Sequence, residues 1–435
     1  MFALTADLIP FYALYALLFA AHGLNTTQIS SLLAIWSTTA FLLEIPSGAW
    51  ADTVSRRGLL VLSALLLTAG FGVWTLFPSY PGFALGFVLW GASGALRSGT
   101  FEALLYDDLA AREATSAYSR VMGYTRAAAE SAALVGILAA APLYALGGYP
   151  LIGWSSVAIA AVHTLTALSL PSAPKVVSAG DIEDLEDLDD TDPARLPTTT
   201  SVPSPSGGRS RYREMLRSGL REALRVRVIR RGVILVALLN GITAFDEYFA
   251  LLADHAGVSP SISALLVGVT VAGALAGAAL AGRTEAVAPR TLAIALGVGG
   301  LLFIGGALLA GLSTAFPHAV YPLTAVGFSA IGVAYGIDYN ADVVASARLQ
   351  DAIAGPARAT VTSVSGVVTE MVALAVFAFV ALVTAWLSIP VVVALLGVPI
   401  LVTAALLPVW LPRPSPERES HTTEGRPRLD QSTLP

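Results

Sequence analysis

The sequence predicts an all-α polytopic membrane protein of twelve transmembrane helices, arranged as two pseudo-symmetric six-helix bundles. Three observations carry that prediction. Of 435 residues, 55% are hydrophobic and 13% charged, with a mean hydropathy of +0.71, more apolar surface than a soluble chain of this length needs. Apolar runs of about 20 residues, the length that crosses a bilayer, recur along both halves of the chain. Lysine and arginine fall only on every second turn between those runs.

In order, the spans fall at roughly 4–21, 28–51, 58–77, 82–107, 118–146, 150–171, 229–253, 259–281, 290–312, 317–345, 357–385 and 388–411. Turn residues mark the breaks: His22 and Gly23, Pro78 to Pro81, Gly147 and Gly148, Ser259 and Pro260, Pro317, and Pro390. The first apolar run, about 8–21, has no basic segment before it and no small-residue cleavage site, so it reads as a retained span. The turns after odd-numbered spans hold no Lys or Arg. Those after even-numbered spans hold Arg56, Arg57, Arg112, Arg283, Arg290, Arg348 and many in the centre. Positive charge stays on the cytoplasmic face, so both termini and the central loop are expected there, in a multi-pass protein of the cytoplasmic membrane. Trp50, Trp74, Trp154, Trp386 and Trp410 fall near span ends, as interfacial anchors do, whereas Trp36 and Trp90 lie deeper, where they could line a cavity or pack.

The chain divides into an N-terminal bundle (1–171), a cytoplasmic linker (172–228), a C-terminal bundle (229–411) and a polar, Pro-rich tail (412–435) expected to be disordered. In the linker, Asp181 to Asp192 carries eight acidic residues in twelve and is expected to be disordered. The following stretch, Arg209 to Arg231, holds nine arginines, with Tyr212, Leu216, Leu220 and Leu224 on one helical stripe. That pattern reads as an amphipathic helix on the inner leaflet, its arginines toward anionic lipid; a nucleic-acid partner is not expected. The halves echo each other: at an offset of 240, Glu102 falls on Asp342 and Glu130 on Glu370.

Residues 44–58 read Glu-Ile-Pro-Ser-Gly-Ala-Trp-Ala-Asp-Thr-Val-Ser-Arg-Arg-Gly. Gly48 and Asp52, four apart, share a face at a helix end, and Arg56 and Arg57 stand on the turn that follows. Without a side chain, Gly48 lets a neighbouring helix approach the backbone. A carboxylate at Asp52 can meet a helix N-terminus or pair with an arginine. The plainer reading is a positive-inside turn that carries an Asp. The stretch resembles the loop 2–3 signature of the major facilitator superfamily of transporters, G-x-x-x-D-x-x-x-R-R. The resemblance implies that Asp52 and its arginines latch the cytoplasmic side in one conformation and release it in the other. Glu44, Asp107, Asp108 and Arg112 would belong to that latch, and Arg358, at the start of span 11, lies where the resemblance places the partner of Asp52. The Glu-Ile-Pro-Ser-Gly run and residues 98–107 are similar to a bacterial branch of permeases, many assigned to efflux. Drug–proton antiporters of the superfamily show Gly-Pro-x-x-Gly-Gly in span 5; here Gly136, Pro142, Gly147 and Gly148 do not reproduce it. In span 8, Gly277, Gly282 and Arg283 remain of the repeated signature, and the Asp is absent.

An ionisable side chain at bilayer depth costs about 2.5–3.5 kcal/mol on insertion scales, so those retained face a bundle interior or a wet cavity. They are Arg97, Glu102, Asp107 and Asp108 in span 4, Arg126 and Glu130 in span 5, Asp246 and Glu247 in span 7, Asp338 and Asp342 in span 10, and Glu370 in span 11. At about 1.5 Å per residue, Arg97 and the Arg126–Glu130 turn share a depth, which predicts an Arg97–Glu130 pair. Such a pair could be structural, or its carboxylate could exchange a proton or substrate for the arginine. Asp107, Asp108 and Arg112 stand at the mouth of span 4.

The function these features indicate is secondary active transport of a small molecule by alternating access, with proton-coupled efflux preferred. A proton-coupled nutrient or metabolite symporter and a non-transporting receptor or scaffold are the alternatives. No G-x-x-x-x-G-K-[ST] phosphate loop and no nucleophile–His–acid set is present, so no enzymatic activity and no cofactor are expected. Five scattered histidines and no cysteine make no metal centre. The expected partners are substrate, protons and lipid, with the chain a monomer.

Overall fold

The computed structural model describes residues 1–175, 226–353 and 358–412, apart from the side chains of Ile45, Ala49, Arg358, Ala359, Thr360 and Ser363. The acidic linker, the Tyr212–Leu224 stripe and nearly all of the tail lie outside the described residues, as does the Arg358 side chain. Arg227, Arg230 and Arg231, the end of the basic stretch, fall within the first five residues of the seventh span's helix.

Every described secondary-structure element is helical. Span α1 is made of Phe2–Asp7, a 3-10 turn at Pro10–Ala13 and Tyr15–Ala21; α2 is Thr26–Thr53 and α3 is Arg56–Leu76. Span α4 is Tyr80–Arg97 continued by Thr100–Ala111. Spans α5 and α6 share Tyr118–Leu168, and α7 runs through Arg227–Ile242, Thr243–Tyr248 and Phe249–His255. The last five are α8 (Pro260–Thr284), α9 (Pro289–Gly311), α10 (Val320–Ala352), α11 (Arg358–Val383) and α12 (Ile389–Trp410). Among the described residues, eight helices are long and apolar enough to cross a membrane, and α2 is a ninth if the parts on either side of its 44° bend at Pro46 count together. Tyr118–Leu168 counts once there but holds two spans. Gly148, at φ +60°, turns the chain back, so that Gly136 and Gly153 both pack on α1, beside Ile9 and Phe11. The broken spans α1 and α4 complete the twelve.

The turn residues do their work as caps. Asn25 and Gln28 form a reciprocal capping box at α2, and Ser55, Ser79 and Ser259 accept backbone N–H bonds at the starts of α3, α4 and α8. The main difference from the sequence reading lies inside the spans. α1 opens at Leu8 and Ile9, where extended backbone precedes Pro10. α4 opens at Ser98 and Gly99, the glycine at φ +67°, and α7 tightens into a 3-10 stretch at Thr243–Tyr248. α10 continues to Ala352, seven residues past the predicted end at 345.

In the first half, α4 packs on α2 and α3, and the α5–α6 helix packs on α1 and α3. In the second half, α10 packs on α8 and α9, α12 on α9, and α7 on α11 and α10. The halves meet where α2 lies on α11 and α5 on α8, two contacts related by the six-span repeat. Trp74, expected as an interfacial anchor, is instead buried among Phe19, Phe71 and Phe87. Its indole N–H reaches the Phe83 carbonyl at 3.0 Å, which removes the need for an aqueous partner.

Backbones come closest between α8 and α10. A Cβ on Gly277 would stand 1.8 Å from the Gly336 carbonyl oxygen, and one on Gly273 2.1 Å from that of Gly332. A main-chain oxygen cannot swing aside, so a methyl here must push whole helices apart. Gly277→Ala is expected to destabilise the protein by about 1–3 kcal/mol or more, read as a lowered thermal unfolding temperature in detergent. Gly282→Ala, where a Cβ meets no described atom within 4 Å, should leave that temperature unchanged.

Candidate functional site

Two adjoining chambers, about 270 and 310 Å³, lie between the halves. Trp36, Asp246 and Glu247 line both. The first is completed by residues including Tyr12, Trp90, Glu130, Tyr335 and Tyr339, the second by Ser37, Asn240, Thr243 and Glu370 among others. The space wraps around α7 at its 3-10 stretch, so two adjacent carboxylates both reach it although they point in different directions. Tyr335 donates to Asp246 Oδ2 at 2.7 Å, and the Ser37 hydroxyl donates to Glu370 from across the halves. The Tyr12 ring stacks on Trp90 at 5.2 Å, and Trp36 meets the other indole at 5.1 Å. Glu130 and Glu370, the residues matched by the 240-residue echo, both border this space.

Toward the end of the molecule that bears Arg56 and Arg112, a third chamber of about 290 Å³ is lined by residues including Asp7, Arg97, Glu102 and Arg126. Here the structure corrects the predicted pairing. Arg97 Nη1 lies 3.3 Å from Asp7 Oδ2, while Glu130 belongs to the central chamber. A residue count gives depth only along a straight rod, and α4 is not one. Its break at Ser98 and the break of α1 at Leu8 instead bring two helix ends together. Asp7 was not singled out, although the rule applied to the other intramembrane acids would have found it.

The loop between α2 and α3 forms a compact ionic socket. Arg56, 3% exposed, donates to Asp107 Oδ2 at 2.6 Å, to the Ala103 carbonyl at 3.2 Å and to Asp52 Oδ1 at 3.4 Å. Arg112 pairs with Asp108 at 2.9 Å, Ser98 Oγ donates to Glu44 at 2.8 Å, and Arg57 donates to the Leu168 carbonyl. The socket ties α3 to α4 within one half. No described atom lies within 4 Å of a Cβ built on Gly48, so the close helix approach expected there is not seen in this state.

In the second half, Asp338 is fully buried, and Asn240 lies 3.5 Å from Asp342; neither acid is among the residues lining the three chambers. The region corresponding to the socket is built with reversed polarity. Arg348 rises from α10 and donates to the carbonyls of Glu285 at 2.6 Å and Val287 at 3.0 Å. An arginine bonded to main-chain carbonyls stands here where the first half uses carboxylates, and main-chain acceptors leave no trace in a sequence motif. His163, absent from the expected set, is buried beside Thr5, 3.1 Å from its hydroxyl, with its ring tilted against Phe2 at 4.5 Å. Among the described residues, no group of three or more His, Asp or Glu side chains could hold a metal ion.

Hydrogen bonds between the halves concentrate toward the arginine-free end. Thr27 bonds to the Ala381 carbonyl at 2.8 Å, Ser30 to Tyr248 at 2.8 Å and Ser261 to the Ala141 carbonyl at 2.9 Å, with Ser37 and Glu370 deeper. Two repeated six-helix bundles, hydrogen-bonded to each other toward one end around a cavity lined by acids, have the build of a membrane transporter. The sequence profile of the Major Facilitator Superfamily matches residues 1–341, and the chain belongs to that superfamily. Its class of activity is therefore secondary transport. A crystal structure of a D-xylose-proton symporter superposes with a TM-score of 0.63 at 15% identity, covering 94% of this chain and 95% of that one, which shows the shared fold. No curated protein matches the sequence.

Proposed function

We propose that the protein is a proton-coupled exporter of a small molecule in the cytoplasmic membrane, with the arginine-bearing end toward the cytoplasm. The observation that carries the coupling is the Asp7–Arg97 pair. It joins the broken ends of α1 and α4 in a chamber apart from the main cavity. Movement of either helix during alternation would separate carboxylate from guanidinium. A carboxylate that loses its arginine binds a proton more readily. Tyr12 lines the main cavity and Asp7 the third chamber, so one broken span, α1, borders both compartments. The bonds at the arginine-free end support an inward-facing state, and the positive-inside distribution supports the orientation.

Export is preferred because residues 44–52 and 98–107 resemble a bacterial branch of permeases, many assigned to efflux. The structural likeness to a D-xylose-proton symporter favours the second reading, proton-coupled uptake. Proteoliposomes with an imposed pH gradient separate the two. Export predicts that substrate moves against the proton flow, and that a protonophore abolishes its accumulation. Accumulation in the same direction as protons would replace export by symport.

A further inference from the structure

We propose that the central cavity takes an organic cation with a flat, apolar body. This substrate class rests on the transport reading and adds to it the chemistry of the solute. Four carboxylic acids border the two joined chambers: Glu130 from α5, Asp246 and Glu247 from α7, and Glu370 from α11. No Lys, Arg or His lines either chamber among the described residues. Arg97 belongs to the separate chamber and is paired with Asp7.

The four acids are not equivalent. Asp246 accepts from Tyr335 and Glu370 from Ser37. Glu130 and Glu247 accept no hydrogen bond among the described residues, and they come from opposite halves. A cation between them would touch both bundles, so its arrival and departure would bear on the motion that alternates access. An anion would meet only like charge, in surroundings where water screens poorly. A neutral polyol would find mainly carboxyl and phenol groups set among indole and alkyl walls.

The walls fit an aromatic cation. Tyr12, Trp36 and Trp90 all line the first chamber, and the negative quadrupole of an aromatic ring attracts positive charge. Trp36 borders both chambers, so a flat body beside it lies within reach of the acids on α7. Chambers of about 270 and 310 Å³ have room for a molecule of a few rings.

The test uses the purified full-length protein and three probes: ethidium, a planar cation; pyrene, planar and neutral; and fluorescein, planar and anionic. Ethidium should bind saturably and quench tryptophan fluorescence, with fluorescein at least tenfold weaker. Glu130→Gln and Glu247→Gln should each weaken ethidium about tenfold or more, while Glu130→Asp and Glu247→Asp recover most of the affinity. Fluorescein or pyrene binding as tightly as ethidium would overturn the proposal, as would Gln variants that fold and keep the wild-type affinity. If a Gln variant does not fold, the Asp variants and the three-probe comparison on the native protein still decide. Proteoliposomes separate the two levels of inference. Gradient-driven movement of fluorescein but not ethidium removes the substrate class and leaves transport standing. Saturable ethidium binding without gradient-driven movement of any probe keeps the cation site and removes the proposed coupling.

Discussion

Asp7→Asn is expected to reduce proton-driven accumulation in proteoliposomes at least tenfold, to the level of protein-free vesicles. Exchange of substrate at equal concentrations on both sides should survive. The reasoning starts from geometry. Asp7 is the carboxylate paired with Arg97, at 3.3 Å, where two helices are interrupted. Asparagine keeps the size and a hydrogen-bonding oxygen but cannot take up a proton. A merely structural pair predicts another outcome: lowered thermal stability and parallel losses in accumulation and exchange. Preserved uphill accumulation by a folded Asp7→Asn protein would remove the pair from the coupling mechanism.

The second large effect concerns the socket beneath α3 and α4. Asp107→Ala should destabilise the protein by about 3–5 kcal/mol, because it removes the nearer of two carboxylates from a guanidinium that is 3% exposed and leaves the weaker 3.4 Å Asp52 contact to balance its charge. Thermal unfolding should fall by several degrees. Asp52→Asn should cost less than about 1 kcal/mol, since the Asp52 side chain is 38% exposed and lies 3.4 Å from Arg56. Its effect should appear in turnover, as the latch reading requires. Equal melting losses from the two substitutions would show that Asp52 and Asp107 hold Arg56 equally.

The twelve spans were legible because two signals agree on them. Long apolar runs and the alternate placement of arginine arise from separate physical causes, the hydrocarbon thickness and the charge rule. The interruptions within spans were not legible. Hydropathy averages over about twenty residues, and an opening at Ser98 changes no average. That one opening also explains the wrong partner for Arg97. A depth count in residues holds only along a continuous helix. The acids were easy to find, since each is an anomaly in an apolar run. Their sorting was not, because Glu130 and Asp338 look alike in sequence, yet one borders the cavity and the other is enclosed in the second half. Trp74 shows the same limit: its place near a span end suggested an anchor, and only the Phe83 carbonyl explains its burial.

Gly48 has one further consequence. In the shape seen here a Cβ on Gly48 meets no described atom within 4 Å, so a methyl group fits. A carrier that swings must bring its two lobes together at this mouth at the opposite end of the stroke, and there the same methyl would act as a doorstop. Gly48→Val is therefore expected to slow transport in proteoliposomes while leaving the thermal unfolding temperature unchanged.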